Sequence, residues 1–274
     1  MIEYIKNDRR NIMKEFGIQI FSVRDKFKNV EDTKEALIAL GEMGYSTIQT
    51  AGTYPYIEPQ LFARYVREAG LTVCGTHYPF ENIENDIEGT IAYHEVLGTK
   101  NIGIGDMPKE FLESEKKTLE FIERYNKLAK IYSARGFKLT YHNHNFEFVK
   151  FESGKTIFDL LIEGLDRENV SFVLDTFWCQ YAGIDVRDMI ERLSGRIDIL
   201  HLKEMTADRS NIDKYPYPMV AIGEGNMNFA GIIKTAERAG VTYFVVEDDR
   251  CPEGASLIEA KKSADYIKAH LLKK

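Results

Sequence analysis

A short apolar segment followed by a charged, amphipathic stretch recurs eight times along the chain, at an average spacing of ~34 residues. The apolar segments are Phe16–Phe21, Tyr45–Thr50, Leu71–Thr76, Asn101–Gly105, Lys138–Asn143, Val170–Asp175, Ile197–Lys203 and Tyr243–Glu247. They are near-continuous runs rather than clean alternations, as expected of parallel strands covered by helices. The stretches between them carry apolar residues three and four apart, for example Leu119, Ile122, Tyr125, Leu128 and Tyr132. Gly41, Gly44, Gly70, Gly136 and Gly240 stand where helices give way to the next strand, as left-handed caps do. Eight such units in 274 residues predict an α/β fold, a single (β/α)8 TIM barrel, whose usual size is about 250 residues. An open doubly wound sheet uses the same local pattern, but no Gly-x-Gly-x-x-Gly turn follows the first strand.

No linker rich in Pro, Gly or Ser divides the chain, so one barrel domain is expected over residues 16–274 after an N-terminal extension over residues 1–15. The formal charge of −7 argues against a broad basic footprint for nucleic acid or an anionic membrane. No apolar run approaches the ~18–20 residues of a membrane span. Cys74, Cys179 and Cys251 are far apart and odd in number, which predicts a reducing, cytoplasmic setting and no cysteine-based metal site.

In a barrel of this kind the catalytic groups lie at the C-terminal ends of the strands. Those ends carry Gln19-Ile-Phe-Ser-Val-Arg-Asp25, Gln49, His77, Tyr141-His-Asn-His-Asn-Phe-Glu147, Leu174-Asp-Thr-Phe-Trp178, His201-Leu-Lys-Glu204 and Val246-Glu-Asp-Asp-Arg250. Four successive strands thus deliver carboxylates and imidazoles to one rim. Period-two geometry puts Val173 with Asp175, Ile199 with His201 and Lys203, and Val245 with Glu247 and Asp249. The apolar member of each set would face the barrel core and the polar one its mouth. His142 and His144 share a parity in the same way. Singly, Asp175 could be a turn cap, His201 a core imidazole and Glu247 a solvated charge beside Asp248. Jointly, converging carboxylates and imidazoles cost solvation free energy unless a cation holds them, and mixed oxygen and nitrogen donors suit a divalent metal.

The pieces Gly17-Ile-Gln-Ile-Phe-Ser-Val-Arg-Asp, Tyr141-His-Asn-His-Asn-Phe-Glu-Phe, Leu174-Asp-Thr-Phe-Trp, His201-Leu-Lys-Glu, Ile222-Gly-Glu-Gly and Val246-Glu-Asp-Asp together resemble the xylose isomerase-like TIM-barrel superfamily, the sugar phosphate isomerase/epimerase group. The resemblance runs from Gly17 onward. It implies a metal set of Glu, Asp, His and Glu from strands five to eight. Asp175, His201 and Glu247 match the last three places. For the first place Glu147 is the expected ligand, because it restores three carboxylates, with His142 as the alternative. Gln49 stands where relatives often have Glu.

The resemblance further implies a cofactor (Mn, Co, Mg or Zn) and a small sugar or cyclitol substrate, with no nucleic acid or membrane partner; pairing of barrels into a homo-oligomer is compatible with it. The expected activity is metal-dependent isomerisation or epimerisation of a keto-sugar through an enediolate, with Glu147, Glu247 and His144 as acid/base groups. His77, His142, Trp178, Lys203, Glu204 and Arg250 are expected to shape the substrate pocket. Two alternatives use the same resemblance: an inosose dehydratase-like or 3-keto-glycoside lyase reaction, and a sugar-binding barrel without catalysis. The DNA-repair endonucleases of the same barrel family would need a basic groove that the acidic balance disfavours.

Overall fold

The computed structural model describes residues 13–207, 218–252 and 254–272. The expected extension over residues 1–15 therefore falls largely outside the described residues. Met13, inside that range, is buried in the core and donates its N–H to Glu237 Oε1 at 2.7 Å.

All eight expected strands form, and they close into a parallel barrel. They are β1 (Gly17–Gln19), β2 (Thr47–Ala51), β3 (Thr72–His77), β4 (Asn101–Ile104), β5 (Lys138–His142), β6 (Val170–Asp175), β7 (Ile197–Leu202) and β8 (Tyr243–Val246). Each pairs with its sequence neighbours, and β1 closes the ring on β8 through Gly17↔Val245 and Ile18↔Val246. The helices that cover the ring are α1 (Val30–Glu42), α2 (Pro59–Glu68), α3 (Phe80–Asn85), α4 (Ile87–Leu97), α5 (Glu115–Ala134), α6 (Ile157–Gly164), α7 (Thr176–Tyr181), α8 (Val186–Arg192), α9 (Phe229–Ala239) and α10 (Ser256–Tyr266). A short antiparallel ribbon, Glu204–Met205 with Met219–Val220, rises from the end of β7.

Local chemistry explains where the helices start and stop. Asn29 and Ser114 accept hydrogen bonds from the backbones of Asp32 and Lys117 at the starts of α1 and α5, and Thr156 with Asp159 makes a reciprocal capping box on α6. At the far ends Gly44, Gly70, Gly136 and Gly240 take positive φ, which a side chain would oppose. Gly41 does not belong with them: it lies inside α1, where a Cβ would collide with the carbonyl of Ala69 and hold α1 and α2 apart.

The inward-facing residues decide what the barrel holds. Cys74, Val173, Ile199 and Val245 pack together as a small apolar layer inside the ring, separate from the large core between sheet and helices. This dry floor carries a polar storey above it, because the next inward positions on β6, β7 and β8 are Asp175, His201 and Glu247. Asp175 and His201 are register partners on adjacent strands. The expected parity therefore holds, and the polar groups are raised on a rigid apolar base.

Candidate metal centre

Four side chains from four consecutive strands meet above that floor. His142, Asp175, His201 and Glu247 each offer one ligand atom, and these atoms lie within 4.8 Å of one another. All four are buried. In His142, Asp175 and His201 the other polar atom is already committed, which sets the direction in which each group points. His142 donates Nδ1–H to Gly105 O at 2.8 Å, leaving Nε2 without a partner, 3.6 Å from Asp175 Oδ2 and 4.0 Å from Glu247 Oε2. Asp175 caps α7 by accepting the Trp178 N–H on Oδ1 at 2.9 Å, while its Oδ2 accepts no hydrogen bond. His201 contacts Gln49 Oε1 through Nε2 at 2.5 Å, and its Nδ1 stands 2.8 Å from Glu247 Oε2 and 3.6 Å from Asp175 Oδ2 without a hydrogen bond.

Three buried ligand atoms that make no hydrogen bond and are aimed at one point are expensive in a protein interior. A divalent cation answers all three at once. The donor set of two imidazoles and two carboxylates fits Mn, Co, Zn or Fe better than it fits Mg, which prefers oxygen. Charge leads to the same place. Lys203 Nζ lies 2.7 Å from Asp249 Oδ2, 2.9 Å from Glu247 Oε2 and 3.3 Å from Asp175 Oδ2. With His201 neutral, as a ligating imidazole must be, one ammonium against three carboxylates leaves two negative charges, the amount a dication neutralises.

The electrostatics follow this geometry. Burial alone would lower the Lys203 pKa, but Asp175, Glu247 and Asp249 outweigh it and raise it. Burial would raise Asp175 and Glu247; Lys203 and the neighbouring imidazoles hold both below the usual carboxylate range. Asp249 is pushed up to about 6 by burial and by the charge of Glu247, against the pull of Lys203. His201 is raised to about 9, the Glu247 and Asp175 carboxylates overcoming burial.

A cavity of about 230 Å³ opens above the cluster, lined by His77, His142, His144, Lys203, Glu247 and Asp249, with Phe21, Ala51, Gly105 and Asp106 completing its walls. His77 stacks near His142 and His201, with ring centroids 4.7 and 5.6 Å away, and its Nε2 has no partner. Burial, reinforced by those two rings, holds its pKa far below the ordinary imidazole value. His144 lies over Phe146 and 4.7 Å from the His142 ring, its Nδ1 likewise unpartnered. Burial and the neighbouring His142 lower it to about 3, so it is a neutral imidazole at pH 7.

The structure departs from the sequence reading at the first ligand. Glu147 is fully buried, but it does not join the cluster. Its Oε1 accepts the Tyr141 hydroxyl and its Oε2 the His144 N–H, both at 2.8 Å. The chain turns through a short 3-10 segment, Phe146–Phe148, and folds the carboxylate back against β5 rather than forward into the mouth. Burial lifts its pKa to about 7 despite both hydrogen bonds. His142 occupies the place instead, being the last inward residue of β5 itself.

Three expected pocket residues do not line the cavity. Glu204 is buried with its carboxylate accepting the backbone N–H groups of Met205, Gly223 and Met227, so it ties the Ile222-Gly-Glu-Gly turn to the end of β7. Arg250 is exposed, its backbone N–H bound to Asp248 Oδ1, and it does not line the cavity. Trp178 is the third: it packs behind two lining residues, its ring 5.2 Å from Lys203 Nζ and 5.6 Å from the His144 ring. Asp249 was absent from the expected site residues, although its shared parity with Val245 and Glu247 was visible in the sequence.

Comparison with known proteins agrees with this architecture. The family model described as "Xylose isomerase-like TIM barrel" matches residues 37–270. An inosose dehydratase from Clostridium perfringens is 27% identical over 187 residues, covering 64% of this chain and 61% of that protein, so the match spans about three fifths of the relative's length. An inosose dehydratase from Mesomycoplasma hyopneumoniae is 22% identical over 269 residues, covering 86% of this chain and 87% of the relative. The solved structure of a sugar phosphate isomerase/epimerase from Parabacteroides distasonis shares the fold, with a TM-score of 0.81 at 22% identity over 99% of this chain and 100% of that one. Among the described residues no helix is long and apolar enough to cross a membrane.

Proposed function

The chain belongs to the xylose isomerase-like TIM-barrel family, and from that premise we propose that it is a divalent-metal-dependent enzyme that removes the proton next to the carbonyl of a small polyhydroxy ketone, a sugar or cyclitol, and then expels the β-hydroxyl as water. The observation that carries this reading is the convergence of the unpartnered His142 Nε2, Asp175 Oδ2 and His201 Nδ1 beside Glu247, under a cavity with room for one small ring. Ligand pockets usually run to roughly 300–1,000 Å³, so this one suits a monosaccharide-sized molecule. A metal held by His142, Asp175, His201 and Glu247 would act as a Lewis acid that polarises the substrate carbonyl and stabilises the enolate.

The remaining steps belong to the side chains. Asp249 and Asp106 are the cavity carboxylates outside the ligand set; Asp249, paired with Lys203 beside the cluster, takes the α-proton in this reading. Lys203, held in place by three carboxylates, presents a permanent positive charge to the oxygen on which negative charge develops. His144 and His77 bring neutral imidazoles, each with a nitrogen that makes no hydrogen bond, to the same cavity, ready to bond substrate hydroxyls. Removal of the α-proton and departure of hydroxide from the β-carbon leave an unsaturated ketone and one water. Two features favour elimination over isomerisation. Glu147, which would supply a second carboxylate base, is turned away, and the curated relatives described above carry the name inosose dehydratase.

Epimerisation is the second reading, and His144 favours it: an imidazole lining the same cavity as Asp249 could return the proton to the other face of the substrate. The two are separated by NMR in D2O with Mn-loaded and chelator-treated protein, on 2-keto-inositol and a set of free ketohexoses. Metal-dependent loss of the α-proton signal is expected with all productive substrates. Growth of an enone absorbance with loss of water supports elimination, whereas a deuterated epimer supports the second reading. An α-proton signal that persists on every substrate, with metal bound, would overturn both and favour a binding protein.

A further inference from the structure

Which nitrogen of His201 faces the cluster is decided from outside it, by Gln49 on β2. Gln49 and His201 are both fully buried, and they sit on strands that are not neighbours in the barrel. Gln49 Oε1 lies 2.5 Å from His201 Nε2, while Nδ1 is the nitrogen beside Glu247 and Asp175. A neutral imidazole carries one N–H and one lone pair. An acceptor at Nε2 draws the proton there and leaves the Nδ1 lone pair for a cation; without it, the carboxylate of Glu247 would draw the proton to Nδ1 and close the site. The other imidazole of the cluster is handled the same way with opposite nitrogens, since Gly105 O takes the Nδ1–H of His142 and frees Nε2.

We infer that Gln49 is the positioning residue of this centre: it selects the His201 tautomer that can ligate a divalent cation, and it does so without adding charge to the site. This rests on the metal-dependent reading above. A carboxylate at this place would accept the same proton but would add a negative charge to a cluster that a dication already balances. The amide is therefore a neutral acceptor in the place where a carboxylate often accepts the far N–H of a metal-binding histidine and orients its ring.

The test uses the full chain and measures Co2+ affinity by competition with a chromogenic chelator and the His201 tautomer by 15N NMR of metal-free protein, at a pH high enough to keep the imidazole neutral. Gln49→Leu and Gln49→Met, checked for folding by circular dichroism, are expected to bind Co2+ about 10–100-fold more weakly and to lose the single Nε2–H tautomer. Gln49→Glu is expected to keep that tautomer and bind at least as tightly as the parent chain. Unchanged affinity and tautomer in Gln49→Leu, or failure of Gln49→Glu to restore binding, would overturn the inference. If the hydrophobic variants do not fold, Gln49→Glu and its 15N signature decide alone. A parent chain that binds no Co2+ would instead overturn the metal reading itself, and this inference with it.

Discussion

Lys203 Nζ stands 2.9 Å from Glu247 Oε2, the same oxygen that comes within 2.8 Å of His201 Nδ1. One carboxylate oxygen therefore faces both a permanent cation and a nitrogen of the candidate metal set. Lys203 is 1% exposed, so this charge is kept out of water by design of the surroundings rather than screened by it.

Replacing that ammonium should uncover three buried carboxylates at once. Lys203→Met is expected to destabilise the chelator-treated protein by about 3–5 kcal/mol, the usual cost of breaking a buried pair from one side. Added Mn or Co should recover part of the loss, because a dication replaces the missing charge. Urea melts with and without metal measure both effects, and a change below about 1 kcal/mol would mean that the carboxylates are not ionised as described.

The ligand assignment separates two neighbouring residues on the β5 end. His142→Ala and Asp175→Asn should each abolish tight binding of Co2+, whereas Glu147→Gln should leave its stoichiometry intact. Asp175→Asn keeps an oxygen to cap α7 at the Trp178 N–H, so loss of binding need not come from loss of fold. Calorimetric titration decides: metal lost in Glu147→Gln but kept in His142→Ala would reverse the assignment.

Glu147 should leave a mark on stability against pH. Its ordinary value is 4.5 and in the folded chain it is raised to about 7, by burial against two hydrogen bonds. Between those values the folded state binds more protons than the unfolded one, so this group makes stability fall as pH rises through the window. Below the ordinary value it contributes no penalty; above about pH 7 the full cost applies, on the order of 3 kcal/mol. Unfolding of the parent chain compared at about pH 5 and about pH 8 should show a larger decline than Glu147→Gln, and parallel pH profiles would refute it.

The proton-handling assignment gives a fourth expectation. Asp249→Asn should retain Co2+ binding but lose about 10²–10⁴-fold in α-proton exchange on a substrate that the parent enzyme turns over. His144→Gln should raise KM in the elimination reading, and should abolish epimer formation while sparing exchange in the other. Exchange at parental rate in Asp249→Asn would move the base elsewhere in the cavity.

The fold was legible in residue order alone, because every barrel strand is a local pattern: eight apolar segments, each within a few residues of its observed bounds. The inward face was legible too, since side chains alternate along a strand; Val173 with Asp175, Ile199 with His201 and Val245 with Glu247 stand one above the other as their spacing requires. That rule ends where the strand ends. Beyond His142 the chain leaves β5, and alternation no longer says where Glu147 points; the hydroxyl of Tyr141 and the N–H of His144 turned it inward against the strand. Glu204 and Lys203 are adjacent in sequence, yet one anchors a distant turn and the other neutralises the centre. Such choices depend on partners that meet only when the ring closes, as Gln49 meets His201 across the barrel. Periodicity set which residues could face the mouth; closure of the barrel decided which atoms found partners there, and which were left free to hold a cation.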